Sequence, residues 1–199
     1  KGDPSDGNQL EQLMPEAARR ILKRELEAGR CPVLPEDFTQ AVFASLRFLG
    51  AEGLRRSPFV GEGLEYKIYA AACNCTDFSA LIRECTSLRY TASRIRRIIF
   101  TALLGITREM VGMPAPYIRI LGMNRGCGPL MDALTEQARI PILTSKAKFL
   151  KSAADSPENA QAKLFLQAEN RAADLYALGF PAKDRRTGYS ELTHPLIYV

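Results

Sequence analysis

Through the first half of the chain, apolar residues recur at intervals of three and four, the spacing that gathers them on one face of an α-helix. Ala17, Ile21, Leu22 and Leu26 follow Pro15, which suits a first helical turn, and Gly29 supplies a stop. Pro35-Glu36-Asp37 opens a second helix carrying Phe38, Val42, Leu46 and Leu49, closed by Gly50. Similar patterning predicts helices over residues 62–72, 77–85 and 88–104. Residues 13–104 therefore read as a helical array, with no strand pairing before Arg108.

The period changes after Thr107. Pro114 and Pro116 break any helix, and residues 117–122 (Tyr-Ile-Arg-Ile-Leu-Gly) read as a short strand. Pro129 starts a helix through Ala138, and residues 140–144 form a second strand, parallel to the first because a helix connects them. Asp155-Ser156-Pro157 begins a long helical stretch that closes at Gly179 and Pro181, and residues 196–199 supply a C-terminal strand. The expected class is mainly α: a helical array followed by a small β-α-β unit with a C-terminal strand. Residues 1–12, polar and containing Gly and Pro, read as a linker from a missing N-terminal domain, and residues 13–199 as one helical domain with a small sheet.

Composition narrows the class. Of 199 residues, 46% are hydrophobic and 25% charged, which excludes a disordered chain, a collagen-like repeat and a coiled-coil rod. The longest apolar candidate, residues 95–106, is interrupted by Arg96, Arg97 and Thr101, so no membrane partner is expected. Five cysteines, an odd number in a chain long enough to fold without staples, favour a reducing compartment and hence the cytoplasm. Cys73 and Cys75 would need partners to bind zinc, and the one histidine, His194, lies in the tail, so no metal is expected.

The charge balance of 27 basic against 22 acidic residues, +5, is unevenly spread. Arg83, Arg89, Arg94, Arg96 and Arg97 stand against Glu84 alone, which puts +4 in one segment. On a helical wheel, Leu88, Ala92, Ile95, Ile98, Ile99, Ala102 and Leu103 share one arc, while Arg89, Ser93, Arg96 and Arg97 face the other way with Tyr90 alongside. Forked guanidinium donors and a hydroxyl suit phosphate oxygens, so Arg89, Tyr90, Ser93, Arg96 and Arg97 are the candidate RNA-binding residues. The same pattern also fits a solvated helix face whose charges pair with nearby acids, and both readings stand.

Other candidates are weaker. The Gly122-to-Gly128 turn between strand and helix matches neither the dinucleotide fingerprint nor the P-loop, and reads better as a tight turn needing positive φ at glycine than as a phosphate cradle. Arg171 and Asp174 are spaced for an intrahelical ion pair. His194 has no evident partner, Glu62 and Glu65 look like surface charges, and no nucleophile elbow occurs, so no catalytic residue is assigned.

Four strings occur in order: Glu62-Gly-Leu-Glu-Tyr-Lys-Ile68; Leu88-Arg-Tyr-Thr-Ala-Ser-Arg-Ile-Arg-Arg97 running into Leu103-Leu-Gly-Ile-Thr107; Tyr117-Ile-Arg-Ile-Leu-Gly-Met-Asn124; and Ala172-Ala-Asp-Leu-Tyr-Ala-Leu-Gly-Phe-Pro181. Together they resemble the C-terminal region of the bacterial tRNA(Met) cytidine acetate ligase family, with departures at Leu88, where the family often has a basic residue, and Tyr66, where it has Asn. The resemblance implies an enzyme that activates acetate with ATP and acetylates the wobble cytidine of elongator tRNA(Met). It places ATP in an N-terminal nucleotidyltransferase-like domain that would be a partner of this one, with no cofactor in this chain, and makes this chain a tRNA-recognition region. A non-catalytic structural or dimerising helical domain is the alternative.

Overall fold

The computed structural model describes residues 13–152, 157–189 and 191–199. The linker expected over residues 1–12 and the Asp155-Ser156 helix start lie outside the described residues. The architecture is mainly α, and no strand pairs before Arg108 among the described residues.

Helix α1 (Glu16–Glu27) has no buried residue, although its apolar positions keep helical spacing. A 3-10 turn (Pro35–Phe38), secured by the Leu34 amide donating to Asp37 Oδ2 at 2.7 Å, leads into α2 (Thr39–Leu54). α3 (Leu64–Asn74), α4 (Phe78–Cys85) and α5 (Ala92–Leu103) complete the array. One apolar cluster joins these helices: Val42 and Leu46 from α2, Leu64 and Ile68 from α3, Phe78 and Leu81 from α4, and Ile95, Ile98 and Ile99 from α5. The Phe100 ring meets Phe38 edge-on and Phe78 at a tilt, each with centroids 6.0 Å apart. Gly50 does not stop α2 as expected. It takes φ 61° and ψ −177°, and the helix resumes beyond the kink to bury Leu54.

The predicted helix over residues 88–104 begins later, at Ala92. Ser87 and Tyr90 exchange backbone hydrogen bonds (Ser87 N to Tyr90 O, 2.9 Å; Tyr90 N to Ser87 O, 3.1 Å), a closed turn that keeps residues 88–90 out of the helix. The Thr91 hydroxyl then caps α5 by accepting from the Arg94 amide. Leu88, expected on the packed arc, is consequently fully exposed.

After α6 (Arg108–Gly112) come β1 (Ile118–Arg119), β2 (Gly122–Met123), α7 (Gly128–Gln137), β3 (Ile142–Leu143), α8 (Lys146–Ser152), α9 (Pro157–Leu178) and β4 (Ile197–Tyr198). β1 pairs in parallel with β3, while the tail strand β4 pairs in parallel with β2, so two two-stranded sheets stand where one was expected. The segment read as one strand changes partner midway: the Ile120 amide donates to Leu143 O at 2.9 Å, and the next carbonyl, of Leu121, accepts from the Ile197 amide at 3.1 Å. At the end of α9, Gly179 makes a close approach that a side chain would block, since a Cβ there would lie 2.6 Å from Val33 Cγ1 and 2.8 Å from Phe38 Cζ.

Candidate nucleic-acid interface

α5 sorts its residues as the wheel predicts. Ile95, Ile98, Ile99 and Ala102 are buried, while Ser93, Arg96 and Arg97 are exposed. Packing along the apolar face therefore holds the arginine-bearing face on a rigid support.

The five expected site residues divide. Among the described residues, no acid lies within ion-pair distance of Arg96 or Arg97. The Arg97 guanidinium lies 5.4 Å from the centroid of the Phe59 ring. Arg89 is exposed but already paired with the Glu62 carboxylate. Ser93 Oγ is 3.1 Å from Thr91 Oγ1 and stays open to solvent. Tyr90 requires a correction in part: it lies alongside arginines but is buried and precedes the helix, and its hydroxyl donates to Oε2 of the exposed Glu62 at 3.1 Å. Its ring supports the cations from beneath, with Arg94 5.1 Å and Arg89 5.7 Å from the centroid.

Three residues that sequence reasoning passed over complete the face. Arg94 donates from Nη2 to the Phe59 carbonyl at 2.9 Å. Glu62, read as an ordinary surface charge, joins Arg89 to Tyr90. Phe59 itself is exposed, with φ 68°. Only the +4 charge of the segment signalled Arg94 beforehand; partners 28 and 35 residues apart leave no local trace.

Chemically, the face offers two uncompensated guanidinium groups and a hydroxyl on an open, preorganised surface. Such forks bind phosphate oxygens in pairs. The neighbouring Arg55 differs, since Glu52 and Glu65 both hold it, at 3.2 and 3.1 Å. Glu65 is buried, and its own backbone amide, together with Arg55, keeps its carboxyl below the usual range against the effect of burial.

The remaining candidates bind elsewhere. Arg171 Nε donates to Leu104 O at 3.0 Å, and Asp174 Oδ1 accepts from the Tyr189 amide at 2.7 Å, so the expected intrahelical pair gives way to two tertiary contacts. The tight turn forms, with the Cys127 amide donating to Asn124 O at 3.0 Å, but Gly122, Gly126 and Gly128 are not among the positive-φ glycines, so the turn does not need that conformation. Gly122 instead admits the backbone of β4, where a Cβ would stand 3.2 Å from Ile197 O. The exposed His194 ring lies with Nδ1 3.0 Å from the Pro195 carbonyl oxygen. Among the described residues no metal-binding cluster occurs and no helix is long and apolar enough to cross a membrane.

Comparison with known proteins gives three findings. The model of the family described as HIGH Nucleotidyl Transferase matches residues 3–191. The tRNA(Met) cytidine acetate ligase of Acetivibrio thermocellus is 31% identical over 195 residues, covering 96% of this chain and 46% of that protein. That of Caldanaerobacter subterraneus is 30% identical, covering 94% and 45%. In apo form, the crystal structure of Thermotoga maritima TmcAL superposes with a TM-score of 0.82 at 25% identity, over 94% of this chain and 46% of that one. A second crystal form of that protein, bound with alpha-thio ATP, has the same TM-score at 23% identity.

The chain thus spans about half the length of the curated relatives it matches. Two expectations are corrected here. The nucleotidyl transferase description falls on this chain itself, so the chain does not stand as a C-terminal region set apart from such a domain. For the same reason, ATP is not to be assigned to a missing N-terminal partner with none expected here: the matched region is this one, and its fold is shared with a protein crystallised with an ATP analogue.

Proposed function

We propose, from the premise that the chain belongs to the HIGH nucleotidyl transferase family, that it acts within an ATP-dependent tRNA(Met) cytidine acetate ligase, where the exposed face of α5 holds tRNA phosphates through Arg96 and Arg97. Arg89 and Ser93 flank them, and Tyr90 contributes from below. The relatives' shared name supports the substrate, since each is a tRNA(Met) cytidine acetate ligase. The observation that carries the reading is that Arg96 and Arg97 are exposed, adjacent and free of acidic partners among the described residues, on a helix whose other face is fully packed. Leaving two like charges together without a neutralising acid is unfavourable, and a polyanion relieves it.

The test is elongator tRNA(Met) binding to the full chain and to Arg96→Glu/Arg97→Glu. The double variant is expected to fold normally and to bind at least tenfold more weakly at low salt. Equal binding by a folded double variant would favour a structural or dimerising domain.

A further inference from the structure

Phe59 is the part of this face that phosphate binding does not explain. The residue is 40% exposed, and its backbone takes φ 68°, a left-handed conformation that bulky residues rarely adopt. Nothing in the loop relieves this arrangement, because the loop is clamped from two helices. Arg94 of α5 donates to the Phe59 carbonyl at 2.9 Å. Arg108 of α6 donates to the Ser57 carbonyl at 3.3 Å and also to that of Val60. Ser57 and Val60 are buried, so the ring alone stands out from an anchored backbone. A backbone outlier held by surrounding structure is a reason to look for a use.

The setting of the ring narrows that use. Arg97 lies over its face, 5.4 Å from the centroid, and has no acidic partner among the described residues, so the ring is covered by a guanidinium that a phosphate can draw away. Tyr66 and Arg55 make a similar pair at 5.5 Å, but there the guanidinium is taken up by Glu52 and Glu65. We infer that Phe59 and Arg97 form a stacking site for one unpaired nucleobase, the base taking the place of the guanidinium against the ring while Arg97 moves off it to hold the phosphate. This rests on the reading of the arginine face as the RNA-holding surface and adds to it a preference for single-stranded segments. Bases in a duplex are already stacked on each other and present only backbone, whereas an unpaired base has an open π-face. A ring fixed before binding gives up little freedom on contact.

The chain contains no tryptophan, so Phe59→Trp introduces a single fluorescent reporter at the site. Titration with a short RNA stem-loop is expected to quench it, and a blunt duplex with the same number of phosphates is expected to leave it unchanged. Phe59→Leu should bind the stem-loop roughly ten- to a hundredfold more weakly, with duplex affinity unaltered, and Phe59→Tyr should restore binding. Thermal unfolding checks the fold of each variant, and the Phe59→Trp signal decides the matter if Phe59→Leu is unstable. Unquenched Phe59→Trp, or a folded Phe59→Leu that binds the stem-loop as wild type does, overturns the stacking site. If Arg96→Glu/Arg97→Glu fails to bind both RNAs while Phe59→Leu binds both normally, only the stacking site falls. If wild type binds neither RNA, the arginine-face reading falls and takes this one with it.

Discussion

The ammonium group of Lys146, its side chain only 2% exposed, lies 2.8 Å from the carboxylate of Glu169. Glu191 adds a second acid at 3.4 Å, and Arg119 reaches Glu191 at 2.5 Å. The Tyr117 hydroxyl donates to Glu169 as well. The start of α8, strand β1, helix α9 and the tail are therefore joined through two cations, the buried Lys146 and the partly buried Arg119 of β1, that share Glu169 and Glu191. The buried one is tolerated only because its partners are in place.

Replacing Lys146 by Met should accordingly destabilise the chain by about 2 kcal/mol, less than for a fully buried pair because water still reaches Glu169 and Glu191. Urea unfolding monitored by circular dichroism measures this. A variant as stable as wild type would show that the apolar stem of Met replaces the network at no cost.

Acid should weaken the fold through depressed carboxyl groups. Burial pushes the Glu191 carboxyl up, but Arg119 and Lys146 outweigh it and hold the group below its ordinary value of 4.5. Glu25, hydrogen-bonded to Arg30 at 2.5 Å, is lowered to about 2. Each group binds its proton more readily in the unfolded chain, so its contribution is complete above pH 4.5 and is lost as pH falls through the folded value. The midpoint of thermal unfolding should thus decline from about pH 4.5 downward, and Glu191→Gln should flatten the decline. A midpoint unchanged between pH 5 and pH 3, roughly the window this linkage covers, would contradict it.

Gly179→Ala tests the close approach at the end of α9. Its Cβ would enter the space of Val33 and Phe38, at 2.6 and 2.8 Å, and either the loop or the helix end must move. A destabilisation of about 1–3 kcal/mol is expected, with a lowered melting temperature as the readout. No change in melting temperature would mean that the contact yields freely.

Much of α5 is legible in the sequence because one period on one helix is a local property: Ile95, Ile98 and Ile99 have to face inward if Arg96 and Arg97 face out. Its start is legible too, since Thr91 ahead of the apolar run is an N-cap signal, but the apolar period itself runs back to Leu88 and masks that signal. A wheel extended that far misplaces Tyr90. What fixes Tyr90 is Glu62, and what fixes the loop at Phe59 is Arg94 together with Arg108; these contacts form only when the loop between α2 and α3 is assembled against α5 and α6. The strands show the same limit. Residues 117–122 have a continuous strand pattern, and only the tail, far away in sequence, decides that β2 pairs with β4 instead of extending β1.

Arg94→Ala separates the support of the loop from the binding of phosphate. Removing the 2.9 Å bond to Phe59 O should lower stability by about 1 kcal/mol, within the range for a partly exposed charged hydrogen bond. Differential scanning calorimetry reads the difference, and an unchanged transition would mean that Arg108 alone secures the loop.

The salt dependence of tRNA binding tests the central claim most directly. For wild type, log affinity against log salt should fall on a steep line, and the Arg96→Glu/Arg97→Glu variant should lower the magnitude of that slope by roughly two, one for each phosphate that is no longer held. A folded double variant with the wild-type slope and affinity would contradict the account, leaving the arginine face of α5 as a solvated surface.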